Sequence, residues 1–268
     1  MFNYFGYGSN LNLISLRAKG VTPLHIQKAV LQGWKLDFSV EHWFAHEGGM
    51  GNIQPTGKPE DRVEGNFYSC PDEQLPQLDQ LEAYGIGYDR IEVEVHTDSG
   101  KAKAWVYVGL PDFVKPGLLP TRRYLNLILQ GARTAGLSEG YIKKLEQQEI
   151  HPFPELPEFQ APQGDFPSWK ESTLDKHPLL TGLCGEVFDM SKARWKLDSL
   201  KPILGGKDMT LFHLKRHDTS TGEETFLDYL SGNISKEAKN YLNAYLHAYW
   251  KEFDYAGKLI YTSYPNSI

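Results

Sequence analysis

A turn and a carboxylate carry the chemistry of this chain. The turn is Tyr7-Gly8-Ser9-Asn10-Leu11, at the end of the aromatic run Met1 to Tyr7. Glycine permits close backbone approach and positive φ, and serine and asparagine cap following helices. Leu11, Leu13, Ile14 and Leu16 have the spacing of such a helix. A strand that turns into a helix N-terminus aims several backbone N–H groups at one spot, which suits an anion or a developing oxyanion. The carboxylate is Glu82, closing Leu78-Asp79-Gln80-Leu81-Glu82. Leu75, Leu78 and Leu81 repeat at helical spacing, and Tyr84, Gly85, Gly87 and Tyr88 follow. Glu82 is thus expected near a helix end, before a glycine-loosened loop with aromatic walls. Apolar surroundings bring a carboxyl group's proton exchange toward neutral pH, as general acid–base chemistry requires. Asp79 is the nearest rival, and its place in the helix assigns it a hydrogen-bonding role. Tyr7, Tyr88 and Tyr124 are candidates for a pocket wall. With 15 tyrosines in the chain, the competing reading of each is an ordinary core residue.

The elements that must position these groups follow from periodicity. Residues 1–110 read mainly as strands with short turns. Ile91 to His96 alternates strictly, Asp98-Ser99-Gly100 turns, and Ala104 to Val108 returns as a hairpin partner. Tyr124 to Ala135 reads as a helix with Leu125, Ile128, Leu129 and Ala132 on one face, stopped by Gly136. Ser138 caps a second helix carrying Tyr141, Ile142 and Leu145. The stretch from His151 to Pro167 is proline-rich without periodicity. It reads as a linker or as a strap over the first domain, and Phe153, Leu156, Phe159 and Phe166 favour the strap. A second unit starts near Pro178. Leu183 to Met190 reads as one short strand, and Gly205 to Thr210 as a turn opening a helix. Ser235 to Asp254 reads as an amphipathic helix capped by Ser235, with Leu242, Tyr245, Leu246, Tyr249 and Phe253 as its stripe and Gly257 as C-cap.

The order of the motifs is distinctive. Tyr7-Gly-Ser-Asn-Leu11 comes first, then Ala29 to Phe38, Gly51-Asn-Ile-Gln-Pro55 and Val63-Glu-Gly-Asn-Phe-Tyr68. Leu78-Asp-Gln-Leu-Glu82 precedes Tyr88-Asp-Arg90, and Leu119-Pro-Thr-Arg-Arg-Tyr124 ends the series. This set resembles the gamma-glutamylcyclotransferase family over about residues 1–146. The resemblance implies an α+β fold, a mixed β-barrel with flanking helices. It also implies cyclisation of a γ-glutamyl amine or peptide to 5-oxoproline, with Glu82 as acid–base residue. Gly8, Ser9, Asn10 and Leu11, with Tyr7, Tyr88 and Tyr124, would bind the substrate, and the cyclisation would need no metal or cofactor. Arg17 stands where relatives often carry an arginine, to pair with a carboxylate or support the loop. Two positions depart from the usual pattern: Ala83 replaces the glycine of LDxxEG, and Thr121 stands where serine is common.

Residues 178–268 hold a second resemblance, over about 178–260, to a divergent cytochrome b5-like haem/steroid-binding domain. It rests on Gly185 to Ser191, Gly206-Lys-Asp208 and Phe253 to Leu259. The domains are thus expected at 1–147 and 178–268, joined by 148–177. The His-Pro-Gly-Gly ligand motif is missing, so haem uptake is expected to be poor. His213 and His217 would share a helix face, and their expected role is a hydrogen-bonding, partly exposed pair. The competing function is a non-catalytic ligand-binding or haem/steroid-binding protein.

Composition narrows the classes. A hydrophobic content of 40% and a charged content of 23% are those of a soluble globular protein. A net charge of −6 and no basic stripe argue against nucleic-acid binding. No apolar stretch has membrane-span length and the start lacks signal-peptide character, so a cytoplasmic protein is expected. Cys70 and Cys184, far apart and outside any CxxC motif, argue against a structural disulfide and a thiolate zinc site.

Overall fold

Alternating apolar residues close the first strands on themselves. In the computed structural model, which describes residues 1–152 and 155–262, the chain forms two units, Met1–Phe153 and Pro154–Ile268. The first unit holds β1 (Phe2–Gly6), β2 (His25–Gln32), β3 (Trp34–Glu41), β4 (Gly49–Pro55), β5 (Arg62–Cys70), β6 (Tyr88–Thr97) and β7 (Gly100–Gly109). Five of them form a closed barrel in the order β1-β5-β2-β6-β7. β5 lies antiparallel between β1 and β2, in register from Phe2↔Cys70 and from His25↔Ser69. β6 and β7 are the expected hairpin, from Tyr88↔Gly109 to Thr97↔Gly100. Two seams are short: β2 meets β6 at Ala29↔Thr97 and Val30↔His96, and β7 returns parallel to β1 at Tyr4↔Trp105. Inward residues fill the barrel, among them Phe5, Leu31, Val63, Phe67, Val95 and Val106. β3 and β4 form a separate two-stranded ribbon, bulged between Asp37 and Val40.

Four helices flank the barrel: α1 (Leu13–Ala18), α2 (Leu75–Leu81), α3 (Arg122–Thr134) and α4 (Glu139–Glu146). Thr121 and Ser138 cap α3 and α4 through their side chains. The cap of α1 differs from expectation. Ser9–Leu11 first make a 3-10 turn, and Asn12 then caps α1 by accepting from the Ser15 N–H at 3.0 Å. α3 lies directly on this turn. A Cβ at Gly131 would stand 2.4 Å from the Leu11 backbone carbon, so the approach requires glycine.

The second unit holds β8 (Ser168–Lys170), β9 (Leu180–Leu183), β10 (Glu186–Asp189), β11 (Lys207–Asp208) and β12 (Asp254–Ile260), in sheet order β11-β9-β10-β12-β8. Its helices are α5 (Lys201–Leu204), α6 (Thr210–Lys215), α7 (Phe226–Leu230) and α8 (Lys236–Glu252). Ser235 caps α8 as expected, by accepting from the Ala238 N–H. Leu183 to Met190 is not one strand. Cys184 and Gly185 have φ of 52° and 82°, and these positive values reverse the chain into the β9–β10 hairpin. Gly257 is not a helix cap either. It lies inside β12, where a Cβ would stand 2.0 Å from the Pro167 carbonyl oxygen. The second unit also begins before Pro178, because β8 pairs with β12. Phe159 packs on Phe188, His247 and Trp250, and Phe166 stands edge-on to Tyr255. The rings expected over the first domain thus find these partners in the second, while Phe153 lies outside the described residues.

Candidate active site

Glu82 is the C-cap residue of α2, and its carboxylate reaches a small cavity. Tyr4, Tyr7, Gly8, Ser9, Asn10, Gly51, Tyr88, Tyr107 and Tyr124 line the rest. The structure therefore brings together every expected site residue except Leu11. That side chain is buried rather than on the cavity wall. Asn10 Nδ2 donates to Glu82 Oε1 at 2.9 Å and to the Tyr4 hydroxyl at 2.7 Å. Lys19 Nζ donates to the same Glu82 oxygen at 3.0 Å and to Asn10 Oδ1 at 2.7 Å. The Lys19 and Glu82 side chains are only 5% and 14% exposed. Glu82 thus sits in a buried ion pair, not in the purely apolar surroundings expected. Arg17 is exposed, and the cation that reaches the site is Lys19.

Backbone groups of the β-strands tie the tyrosines in place. The Tyr7 hydroxyl donates to the Tyr107 carbonyl at 2.7 Å, and the Tyr88 hydroxyl donates to the Gly51 carbonyl at 2.9 Å. Tyr124 is different: its oxygen accepts from the Gly51 N–H at 3.1 Å. Burial pushes the phenols of Tyr4, Tyr7, Tyr88, Tyr107 and Tyr124 above the usual tyrosine range, and the Glu82 charge adds to this in each case. All five are neutral hydrogen-bond groups around one carboxylate. Asp79 has the hydrogen-bonding role expected of it. Its two oxygens accept from Arg90 Nη1, at 2.7 and 2.8 Å, and one of them also from the Tyr107 hydroxyl at 2.6 Å. Arg123, beside Tyr124 on α3, is paired with the buried Glu47 carboxylate.

Sequence reasoning missed Tyr4, Tyr107, Gly51 and Lys19. Tyr4 was within reach, since it lies in the same aromatic strand as Tyr7. Ala83, at the position of the motif's missing glycine, has a φ of 48°, which explains why glycine is usual there. The open volume of the cavity is about 30 Å3, room for a water or two. Its walls must part to admit a larger ligand.

The AIG2-like family model matches residues 62–145. The crystal structure of an uncharacterized protein, loc79017, from Homo sapiens is 30% identical with a TM-score of 0.50, covering 57% of this chain and 90% of that one. The first unit of this chain belongs to the AIG2-like family. A solved gamma-glutamyl cyclotransferase is 28% identical with a TM-score of 0.49, covering 56% of this chain and 89% of that one. Among curated proteins, none matches the chain.

The AIG2-like match ends at residue 145, so the second unit stands on its own geometry. His213 and His217 are 3% and 7% exposed, so they are buried rather than partly exposed. His213 lies on α6, and His217 lies just past its end. His213 Nε2 is 2.9 Å from the Tyr249 hydroxyl, and its ring stacks on Tyr245 at 3.8 Å. His217 Nδ1 is 2.8 Å from the Thr219 hydroxyl and Nε2 is 3.3 Å from Asp218. Among the described residues, no group of three or more His, Cys, Asp or Glu is placed to hold a metal ion, and no helix is long and apolar enough to cross a membrane.

Proposed function

We propose that the AIG2-like unit is a gamma-glutamylcyclotransferase-type enzyme. It converts a γ-glutamyl amine or peptide to 5-oxoproline and releases the amine. The observation that carries this reading is a single carboxylate, Glu82, facing a cavity ringed by neutral phenols and by the Gly8–Asn10 turn. The α-ammonium of the substrate is no nucleophile until it loses a proton, and Glu82 takes it. The freed amine attacks the γ-carbonyl carbon. A C–N bond forms, and the carbonyl electrons move to oxygen. The backbone N–H groups of the turn and the Tyr124 phenol stabilise that oxyanion or hold the substrate carboxylate. Collapse of the intermediate breaks the original amide C–N bond, and Glu82 returns its proton to the leaving amine. Holding the substrate folded, with the reacting atoms about 3–3.5 Å apart, supplies much of the acceleration. No step calls for a metal or redox cofactor. The setting we propose is the cytoplasm, where Cys70 and Cys184, free and in different units, remain thiols.

The test is 5-oxoproline release across a panel of γ-glutamyl amines and peptides. Glu82→Gln keeps the side chain's shape but cannot take a proton, so turnover should fall about 10²–10⁴-fold with the fold intact. Near wild-type cyclisation by the folded variant would overturn the assignment.

A further inference from the structure

We propose that Lys19 is a positioning residue of the AIG2-like site, holding the Asn10 amide by its oxygen and the Glu82 carboxylate at the cavity. This rests on the reading of Glu82 as the base. Lys19, Asn10 and Glu82 form a closed triangle with sides of 2.7, 2.9 and 3.0 Å. Its corners come from α2, from the 3-10 turn and from the residue that ends α1. An ammonium only donates, so the Asn10 oxygen must face Lys19. The Asn10 nitrogen is then left to donate to Tyr4 and Glu82, as observed. The Glu82 carboxylate, an acceptor only, favours the same amide orientation, and the cation secures it from the oxygen end.

Burial argues that the pair is kept for its geometry. A surface ion pair contributes little, whereas a buried ammonium is costly unless its partners are well placed. Lys19 is 5% exposed and has both partners in hydrogen-bond range. Groups that act on Glu82 from packed elements include the phenols of Tyr4, Tyr7, Tyr88, Tyr107 and Tyr124, all held protonated by burial. On its own helix, Asp79 is already paired with Arg90 of β6. The Lys19 ammonium is a cation in direct contact with the base.

The test compares Lys19→Met and Lys19→Arg in the full chain. Lys19→Met should move the acid limb of the kcat/KM profile up by about 1–3 pH units, because a buried carboxylate without its cation protonates more readily. Its kcat should fall roughly 10- to 100-fold, with KM changing much less. Lys19→Arg keeps the charge and should keep the wild-type acid limb. A 13C NMR titration of the Glu82 carboxyl without substrate gives the same answer independently of turnover. Its midpoint should rise in Lys19→Met and hold in Lys19→Arg. A wild-type profile and midpoint in Lys19→Met would overturn the proposal. If that variant fails to fold, Lys19→Gln takes its place; if both unfold, Lys19 is a structural residue and the positioning role is lost. A wild-type chain that cyclises no γ-glutamyl substrate would remove the base reading, while the NMR midpoint would still decide whether Lys19 governs Glu82.

Discussion

The Gly51 N–H of β4 donates to the Tyr124 oxygen. Tyr124→Phe would leave this buried donor without its acceptor, at a cost of about 1–3 kcal/mol. The variant should therefore melt at lower temperature and lose turnover. Unchanged melting would show that the Gly51 N–H finds another partner. Tyr7, Gly8, Ser9, Asn10, Glu82, Tyr88 and Tyr124 were legible in the sequence because they fall in short motifs at strand and helix ends. Gly51 and Tyr107 were not, because they reach the site only once the ribbon and the β6–β7 hairpin have folded. Lys19 was hidden by number, as one of 28 lysines and arginines. Its burial beside Glu82 and Asn10 sets it apart.

The helices were the most legible elements. α3, α4 and α8 carry their own caps and apolar stripes, so each was readable from its own span of sequence. The β9–β10 turn was not readable, because a cysteine stands where asparagine or glycine would signal two positive φ angles. Gly257 was misread because its use is a non-local approach to Pro167, which no local pattern records. Ala83 offers a test at this scale. A left-handed alanine costs about 1–2 kcal/mol, so Ala83→Gly should raise stability by about 1 kcal/mol in denaturant unfolding. A loss of stability would contradict the strain. The loop before β4 is held to α3 by Glu47 and Arg123. Burial alone would raise the Glu47 pKa, but Arg123, His42 and His46 outweigh it and hold the carboxyl well below its usual range. Its contribution to stability is then fully present above the unfolded value of about 4.3 and is lost as pH falls through the lower folded value. Acid unfolding of Glu47→Gln should show a weaker pH dependence below about pH 4 than wild type. Parallel acid curves for the two proteins would remove Glu47 from the acid response.

At the scale of the molecule, the two units should separate at the proline-rich stretch. The His151 N–H donates to the Pro120 carbonyl at 2.8 Å, so a fragment ending at Gln148 would lose a contact of the first unit. A fragment of residues 1–152 should fold and keep cyclisation activity, whereas an insoluble fragment would show that the second unit completes the first. The full chain mixed with hemin should give no stoichiometric Soret band. A band that disappears in His213→Ala would show that the imidazole leaves its tyrosine partner to bind iron. The closure of the barrel has a consequence for motion. β1 and β7 share the single register pair Tyr4↔Trp105, whereas β2 and β5 are paired from His25↔Ser69 to Gln32↔Arg62. A barrel opens first along its weakest stave, and Tyr4 on that stave is also a wall of the narrow cavity. Breathing at this seam would widen the cavity without unfolding the rest. Amide hydrogens along the β1–β7 seam should therefore exchange with deuterium faster than those between β2 and β5, and a bound substrate analogue should slow them.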